Sequence, residues 1–446
     1  MTTLTTLTTL TGLDSDDTGV GSYFIANYPP FSFWRSEERK EAEEALDRPG
    51  TPGKDVPLGL YVHIPFCRKR CKFCYFRVYT DKNGRDIEAY LGAVTKEVEL
   101  LGRRKALERP LQFVYFGGGT PSFLSAAQIE ALVEGLTKSV SWDSAEEVTF
   151  ECEPGTLSRA KVKALASIGV TRLSLGIENF DDDVLQENGR AHLSGEIYRA
   201  WEWIEEASFP AVNVDLIAGM VGETDEGWDR SIEKTLALSP DSVTVYQMEL
   251  PFNTVYSREM LGGDGKSRVA SWSQKREWVR HAFARFQEAG YRVSSGYTLV
   301  RDPERCKFVY RDALWRGADM VGVGVASFSH VSSVHYQNLD RFEDYVETLA
   351  QGKLPLSRAL RVSDRERLIR EMVLQMKLGR LDASYFREKF GASILEDFAA
   401  PFTALRDEGY LDWKKDRIEL TSEGLLRVDS LLPGFFLPEH RGARYT

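Results

Sequence analysis

Short apolar runs alternate with longer stretches of helical periodicity between residues 58 and 250, and this alternation restricts the possible folds more than any other feature of the chain. Six runs are predicted to be strands, at 58–65, 113–119, 148–154, 170–178, 211–219 and 242–250. The stretches between them are predicted to be helices, at 86–103, 125–139, 158–168, 194–207 and 226–238. Strands joined in this way form right-handed βαβ units in a parallel sheet. We therefore expect an α/β fold, either a partial β/α barrel or a doubly wound open sheet.

The segments before this core have a different character. Residues 1–20 are rich in Thr, Leu and Asp, which indicates a frayed tail. Residues 22–34 combine aromatic side chains with a Pro-Pro pair, so we expect an extended segment held against a larger body. The charged stretch at 35–46 predicts an exposed helix, and the Pro/Gly-rich stretch at 48–55 predicts a linker.

The C-terminal part is predicted to be a separate module. Residues 365–391 are helical with turn breaks, and 401–432 predict a helix, a short hairpin and a second helix. This order resembles a winged-helix module, which we interpret as a packing cap without DNA contact. The predicted domains are an N-terminal extension at 1–55, a β/α domain at 56–360 and a small winged-helix-like α+β domain at 361–446.

The composition excludes several classes of protein. The 446 residues are 42% apolar and 28% charged, which is typical of a globular chain and not of collagen or a disordered protein. A net charge of −10 argues against a nucleic-acid partner. The N-terminus lacks the basic and apolar regions of a secretory signal, and no apolar run approaches the ~18 residues of a membrane span. We expect a cytoplasmic monomer without a membrane partner.

Three of the five cysteines form one cluster, Cys67-x3-Cys71-x2-Cys74, directly after the first predicted strand. Three thiolates on one loop can ligate three irons of a four-iron cluster and leave the fourth iron open for chemistry. A structural zinc site would need four closed ligands, and no second Cys pair follows. His63 is interpreted as a core or supporting residue and not as a fourth ligand.

The cysteine spacing, with Phe73 before the last cysteine, is the signature of radical S-adenosylmethionine (SAM) enzymes. YVHIPFC (61–67), FGGGTPS (116–122), GVTRLSLGIENF (169–180) and VNVDLIAGM (212–220) resemble the oxygen-independent coproporphyrinogen III oxidase-like branch. The resemblance covers about residues 56–330 and implies the partial β/α barrel of radical SAM proteins. It also implies that Cys67, Cys71 and Cys74 ligate a [4Fe–4S] cluster, at which SAM is cleaved to a 5′-deoxyadenosyl radical.

The resemblance further assigns a set of cofactor contacts. Gly117 to Thr120 match the family's contact to the methionine amino group, Glu151 matches an acidic SAM contact, and Tyr61 matches an aromatic residue near SAM. Arg190 and Asp215 match contacts to a second SAM that some members bind, while Glu178 replaces a Gln at that site. Packing or surface roles remain open for Tyr61, Glu151, Arg190 and Asp215. The predicted cofactor-binding residues are Tyr61, Phe73, Gly117, Gly118, Gly119, Thr120, Glu151, Glu178, Arg190 and Asp215.

Departures from the family motifs bear on the reaction. Phe76 stands where the oxidases carry a further cysteine, and residues 305–324 lack the His-Asn pair of the haem-chaperone relatives. Our first expectation is therefore C-methylation or cyclopropanation of an aromatic small molecule, with a second SAM as carbon donor. The alternatives are oxidative decarboxylation of coproporphyrinogen III, tetrapyrrole cleavage and non-catalytic haem carriage. The family implies a flavodoxin or ferredoxin as the electron donor.

Overall fold

The computed structural model describes residues 16–51, 56–263 and 268–443. The strands are β1 Leu58–Ile64, β2 Leu111–Gly118, β3 Glu147–Cys152, β4 Arg172–Glu178, β5 Ala211–Ala218, β6 Ser242–Gln247, β7 Arg292–Val293, β8 Thr298–Val300, β9 Asp319–Val323, β10 Phe328–Val331, β11 Val334–Asn338, β12 Leu356–Arg361, β13 Arg380–Asp382, β14 Leu411–Lys414 and β15 Arg417–Leu420. The α-helices are α1 Arg39–Leu46, α2 Gly84–Leu101, α3 Ala126–Thr137, α4 Arg159–Ser167, α5 Asp182–Glu187, α6 Ser194–Ala207, α7 Asp225–Leu238, α8 Val255–Gly262, α9 Trp272–Glu288, α10 Val309–Trp315, α11 Phe342–Ala350, α12 Asp364–Met376, α13 Ala383–Phe390, α14 Ile394–Asp397, α15 Ala399–Asp407, α16 Ser422–Leu426 and α17 Val428–Leu431.

The six predicted strands are present as β1 to β6, and the five predicted helices are present as α2, α3, α4, α6 and α7. Each strand pairs in parallel with the next one along the chain, in the order β1-β2-β3-β4-β5-β6. A doubly wound sheet reverses its order at a switch point. No reversal occurs among these strands, so the partial barrel is confirmed and the doubly wound alternative is wrong.

Further strands widen the sheet at both ends. Antiparallel β8 and β7 follow β6, while β9 pairs in parallel with β1 and continues into antiparallel β10, β11 and β12. The resulting sheet has 12 strands, with β12 and β7 at the two ends of the order. The barrel is therefore open at one side and does not close as an eight-stranded barrel does.

Local sequence explains where the helices begin. Asn83 and Ser125 form capping boxes at the starts of α2 and α3, in which each side chain accepts a hydrogen bond from the backbone of the first helical turn. The apolar face of each helix packs on the outer face of the strands in one large core that contains residues such as Val94 and Val214. The inner face of the sheet is left for polar side chains.

The N-terminal extension is part of the fold. Tyr28 and Trp34 are buried, and Arg35 pairs with Ala359 of β12, as expected for a segment held against a larger body. The helix expected at 35–46 forms as a 3-10 turn at Ser36–Glu38 and then α1. The expectation that it is exposed was only partly right, because Ala42 is buried against the sheet. The predicted tail lies largely outside the described residues, as do residues 52–55 of the predicted linker.

The C-terminal module contains the predicted helix, hairpin and helix as α15, β14–β15 and α16. A short strand that the sequence did not reveal, β13, completes a three-stranded sheet of order β13-β15-β14. This part has its own apolar core, which the N-terminal segment joins through Ile25 and Tyr28. The domain boundaries at 55 and 360 stay predictions. No helix in the described ranges is long and apolar enough to cross a membrane.

Candidate active site

The inner face of β1 to β6 carries one row of partly accessible side chains in a sheet that is otherwise buried. Burial is the largest cause of a raised pKa for every one of these groups, so protein surrounds them on most sides. Groups that are enclosed and yet retain accessible surface line an internal space. We call this space the chamber, and its lining groups are Tyr61, Tyr115, Glu151, Glu178, Asp215 and Tyr246.

Glu151 of β3 is tied to the neighbouring strand β2. The Tyr115 hydroxyl donates to Glu151 Oε1 at 2.7 Å, and the Gly118 backbone N–H donates to Oε2 at 3.1 Å. Tyr115 also stacks on Tyr61 of β1, with ring centroids 5.8 Å apart and planes 17° from parallel. Burial raises the pKa of Glu151 to about 7, although these two donors oppose the rise. The carboxyl group is thus oriented while it still faces the chamber.

Asp215 of β5 ends a chain of hydrogen bonds across three strands. Ser174 Oγ donates to one carboxylate oxygen at 2.8 Å, and Asn213 Nδ2 donates to the other at 2.9 Å. The amide oxygen of Asn213 in turn accepts from Ser242 and Thr244 of β6. Burial raises the pKa of Asp215, and the hydrogen bonds from Ser174 and Asn213 oppose that rise. The two donors also fix the direction of the carboxylate.

Glu178 ends β4 in an unusual conformation. Its φ of 67° lies in the left-handed region, which costs free energy for a residue with a side chain. Its carboxylate lies 3.7 Å from the guanidinium of Arg190. Burial raises the pKa of Glu178 to about 7, and the charges of Asp215 and Glu151 add to the rise. The three carboxyl groups of the chamber therefore interact electrostatically.

The three clustered cysteines lie on a loop at 65–79 that we call the cysteine loop. A bridge between Phe66 and Tyr79 closes it, and all three thiols are free and partly accessible. Among the described residues, no three Cys, His, Asp or Glu side chains converge as they would around a single metal ion. In an iron–sulfur cluster each cysteine ligates a different iron, so its sulfurs need not converge on one point.

Two donors point at these sulfurs. Thr120 Oγ1 donates to Cys67 Sγ at 3.3 Å, and Arg190 Nη1 donates to Cys71 Sγ at 3.4 Å. Burial raises the pKa of the Cys67 thiol to about 11 and that of Cys74 to about 12. Bound metal favours thiolates that burial alone disfavours. Together with the hydrogen-bond donors to sulfur, the cysteine loop therefore fits an iron–sulfur cluster.

The glycines at the end of β2 and directly after it pack against protein. A Cβ on Gly117 would meet Tyr115 and Glu151, one on Gly118 would meet the His63 ring of β1, and one on Gly119 would lie 2.9 Å from the backbone of Pro65. The backbone N–H of Gly119 donates to Ile64 O at 2.8 Å. Close packing of this segment on β1, β3 and the start of the cysteine loop thus requires glycines. Their predicted contact to a ligand stays a prediction.

Phe73, His63 and Arg190 do not belong to the row of residues that lines the chamber. Phe73 packs on a buried apolar cluster that includes Ile217 and Met220. His63 is buried at the end of β1, with its Nδ1 atom 3.4 Å from the Tyr61 hydroxyl, as expected for a supporting residue. Arg190 touches both Cys71 and Gly176 of β4, so it joins the cysteine loop to the chamber.

The sequence interpretation missed several groups that shape the chamber. Residues two apart on a strand point to the same face of the sheet, and this periodicity was the available signal. Tyr115 precedes Gly117 by two residues on β2. Ser174 on β4 stands in register opposite Asn213 on β5. Tyr246 and Glu249 lie in the run YQMELPFNTVYS (246–257), which resembles the family, but the sequence gave neither residue a role. The missed groups are Tyr75, Tyr115, Ser174, Asn213, Tyr246 and Glu249.

Two family models match the chain. The radical SAM superfamily model matches residues 61–235, and the HemN C-terminal domain model matches residues 362–427. The first match contains the cysteine loop and the chamber strands through β5. The second contains the three-stranded C-terminal sheet. The chain therefore contains a radical SAM domain, as its motifs indicated, followed by a match to the HemN C-terminal domain.

Several known proteins are similar to this chain over most of its length. The chain is 27% identical to an oxygen-independent coproporphyrinogen III oxidase of Synechocystis sp., covering 95% of this chain and 93% of that protein. It is 27% identical to the heme chaperone HemW of Lactococcus lactis, covering 86% of this chain and 98% of the chaperone. The structure of coproporphyrinogen III oxidase (HemN) from Escherichia coli superposes with a TM-score of 0.79 at 22% identity, covering 93% of this chain and 96% of that one. The chain is thus similar over most of its length to proteins of the HemN/HemW type, and its radical SAM domain implies a [4Fe–4S] cluster and SAM as cofactors.

Proposed function

We propose that this chain is a radical SAM enzyme that acts on a tetrapyrrole of the porphyrinogen type, by hydrogen abstraction and oxidative decarboxylation. The observation that carries the proposal is the position of Arg190, whose guanidinium contacts Cys71 Sγ on one side and Gly176 O in the chamber on the other. A chamber of ionisable groups that begins at the cysteine loop suits catalysis at a bound cofactor.

The residues present would hold both cofactors. Cys67, Cys71 and Cys74 would ligate the cluster, and Glu151 with the backbone around Gly118 would meet the SAM that binds its open iron. When bound, the cluster and SAM supply the 5′-deoxyadenosyl radical that abstracts hydrogen from the substrate. The electron donor, a flavodoxin or ferredoxin, stays a proposal taken from the family. Loss of CO2 from the substrate radical leaves a vinyl group and releases one electron, which passes to a one-electron acceptor.

The protein's own contribution is to orient charges and to exclude water. Thr120 and Arg190 donate hydrogen bonds to two cysteine sulfurs and so stabilise their thiolate form. Tyr61 and Tyr115 stack to form one wall of the chamber, and the buried Ser174 and Asn213 fix Asp215 opposite that wall. A reactive radical needs such an enclosed space, since water and loose side chains would otherwise divert it.

The choice of a tetrapyrrole rests on the relatives. The similar proteins include coproporphyrinogen III oxidases and heme chaperones over comparable shares of this chain, for example 87% for the oxidase of Pseudomonas aeruginosa and 86% for HemW of L. lactis. The alignment with the Synechocystis oxidase extends to 95% of this chain, and the N-terminal segment packs into the C-terminal core through Ile25 and Tyr28. The oxidase-type reaction is proposed on that alignment.

Methyl transfer or cyclopropanation, our first expectation from the sequence, becomes the second candidate. The comparisons favour the tetrapyrrole reaction and lend no support to methylation. One observation supports the second candidate. Glu178 and Asp215 line the chamber together, and Arg190 lies 3.7 Å from Glu178, as contacts to a second SAM would require. A carboxylate at Glu178 suits the positive sulfonium of that molecule.

The test is anaerobic reconstitution with iron and sulfide, followed by reduction with dithionite in the presence of SAM and coproporphyrinogen III. We expect 5′-deoxyadenosine together with a substrate that has lost CO2, both measured by mass spectrometry. Formation of S-adenosylhomocysteine and a methylated product from an aromatic substrate would favour the second candidate. An intact cluster with no SAM cleavage in the presence of either substrate would refute both.

A further inference from the structure

Two aromatic residues directly after the last clustered cysteine form a stacked pair. The ring centroids of Tyr75 and Phe76 lie 4.4 Å apart with planes 28° from parallel. They are 37% and 43% exposed, among the largest apolar exposures of the described residues. Single exposed aromatics are common, but a stacked pair beside a catalytic loop is a surface suited to binding.

The backbone of the pair is fixed in place. Asn253 Nδ2, in the loop between β6 and α8, donates to Tyr75 O at 2.7 Å. Arg70 Nη2 donates to Cys74 O at 3.2 Å and to Asn253 O at 3.3 Å. These bonds connect the cysteine loop to the loop after β6. The pair therefore has a defined position beside the chamber.

The Tyr75 side chain is directed into the chamber. Its hydroxyl group lies within electrostatic range of Glu249 and of Glu151 in the chamber. Tyr75 in turn acts on Tyr61 of β1 and Tyr246 of β6. A group that interacts with both sides of the partial barrel lies across its interior. The accessible part of Tyr75 is thus surface that faces the chamber.

A polar atom in the same place lacks a partner. Oε2 of Glu249 is buried and has no hydrogen-bond partner among the residues that the structure describes. Ser22 and the charge of Lys275 act on this carboxylate, and its Oε2 atom still has room for a hydrogen-bond donor from a ligand. An ionised carboxylate accepts hydrogen bonds and cannot donate them. The space between Glu249 and Tyr75 therefore suits a ring that carries N–H groups.

We propose that Tyr75 and Phe76 form the platform on which the ring system of the substrate stacks, and that they determine substrate specificity. The tetrapyrrole identity of that ring rests on the proposed function above, whereas the platform itself rests on the geometry of the pair. The platform also explains why Phe76 stands at the position where the oxidases of this family carry a further cysteine. An aromatic side chain there adds a stacking surface.

The experiment measures binding of coproporphyrin III, a stable fluorescent ring, to the reconstituted holoprotein with SAM present. Tyr75→Ala and Phe76→Ala are each expected to weaken binding about fivefold to tenfold, because each removes one aromatic stacking contact. Tyr75→Phe keeps the ring and is expected to bind nearly as the wild type does. Cluster absorbance and melting temperature identify variants that fail to fold.

Tyr198→Ala is the matched control, since Tyr198 on α6 is exposed to a similar extent, 40%, and its ring lies 6.1 Å from that of Phe180. Equal affinity of the wild type and both platform variants would overturn the proposal, as would weakening by the control to the same extent. A second probe, 3-methylindole, separates the two hypotheses. If the wild type binds this probe and not the porphyrin, and the platform variants weaken that binding, the platform stands and the tetrapyrrole substrate is wrong. A wild type that binds neither probe overturns the platform.

Discussion

Two buried carboxyl groups of this protein, one in α2 and one in the chamber, have the same raised pKa but different hydrogen-bond partners. Glu97 of α2 and Glu178 of the chamber both have a pKa raised by burial to about 7. Three donors satisfy Glu97, namely the Gly324 N–H at 2.8 Å, Asn338 Nδ2 at 2.6 Å and the Tyr345 hydroxyl at 2.5 Å. Glu178 has one cation at 3.7 Å and a side chain that still faces the chamber.

The difference shows that a perturbed pKa does not by itself identify a site. Glu97 ties α2 to the end of β9 and to β11, so its burial is balanced by hydrogen bonds and its role is structural. The chamber carboxyls Glu151 and Glu178 are buried without such complete compensation, and Glu178 also has a strained backbone. Accessible surface and incomplete hydrogen bonding of a buried carboxyl group distinguish a ligand-binding site from a structural one. Changes in the chamber should therefore affect chemistry, and changes at Glu97 should affect stability.

The largest expected effect lies at the cysteine loop. Cys67→Ala removes one of three proposed cluster ligands and is expected to abolish 5′-deoxyadenosine formation, by at least about a thousandfold. Cys152→Ala is the matched control, because Cys152 is buried in β3 and packs in the main core. The control is expected to retain the cluster. Iron content and 5′-deoxyadenosine yield measure both, and full SAM cleavage by Cys67→Ala would contradict the assignment.

The second effect lies at Glu97. Glu97→Ala leaves the Gly324 N–H, the Asn338 amide and the Tyr345 hydroxyl without their common acceptor. We expect the free energy of unfolding to fall by about 2–4 kcal/mol, because each buried unsatisfied group is costly. Chemical denaturation measures the loss. SAM cleavage by the fraction that remains folded is expected to be unchanged, and a specific loss of that activity would assign Glu97 to the site.

The sequence predicted the parallel core well for a physical reason. The runs that became β1 to β6 are buried on their outer face and bounded by turn residues, so periodicity and length identify them locally. Helix α5 was missed because six residues, Asp182–Glu187, are too few for a helical period to show. Strand β13 was missed for the same reason, since it has three residues and exists only because β15 pairs with it.

The site was predictable only where a motif marks it. The cysteine spacing is local, so Cys67, Cys71 and Cys74 follow directly from the sequence. The partners that orient the other groups are set by strand register, as when Ser174 stands opposite Asn213. The role of Tyr75 depends on a loop 178 residues away, where Asn253 fixes its backbone. Contacts of this kind need the fold.

The third prediction concerns Asp215 and tests the second SAM. If a second SAM binds beside Asp215, Asp215→Ala is expected to lower its affinity about tenfold to a hundredfold, and 5′-deoxyadenosine formation should persist. Equilibrium dialysis with labelled SAM counts the bound molecules, with two expected for the wild type and one for the variant. Ser242→Ala is a milder control, since it reaches Asp215 only through Asn213. Equal loss of SAM binding and SAM cleavage in Asp215→Ala would reject the two-SAM hypothesis.

The smallest effect is a pH dependence that separates the two groups of carboxyls. The pKa of Glu97 and that of Glu178 are raised from 4.5 to about 7 in the folded chain, so the folded state holds these protons more tightly than the unfolded state. The contribution of these two groups to the free energy of unfolding is therefore most favourable below about pH 4.5. It declines as the pH rises towards 7, by at most about 3 kcal/mol per group. Glu178 faces Arg190, Asp215 and Glu151. Glu97 faces Tyr345 and Asn338.

Glu97→Gln and Glu178→Gln are each expected to flatten the decline in stability between pH 5 and pH 8, measured by denaturation at each pH. Saturating SAM distinguishes the two variants. A cation bound in the chamber stabilises the ionised form of Glu178, so SAM should remove the contribution of Glu178 to the slope and leave that of Glu97 intact. A slope at Glu178 that SAM does not change would show that this carboxyl, like Glu97, serves only the fold.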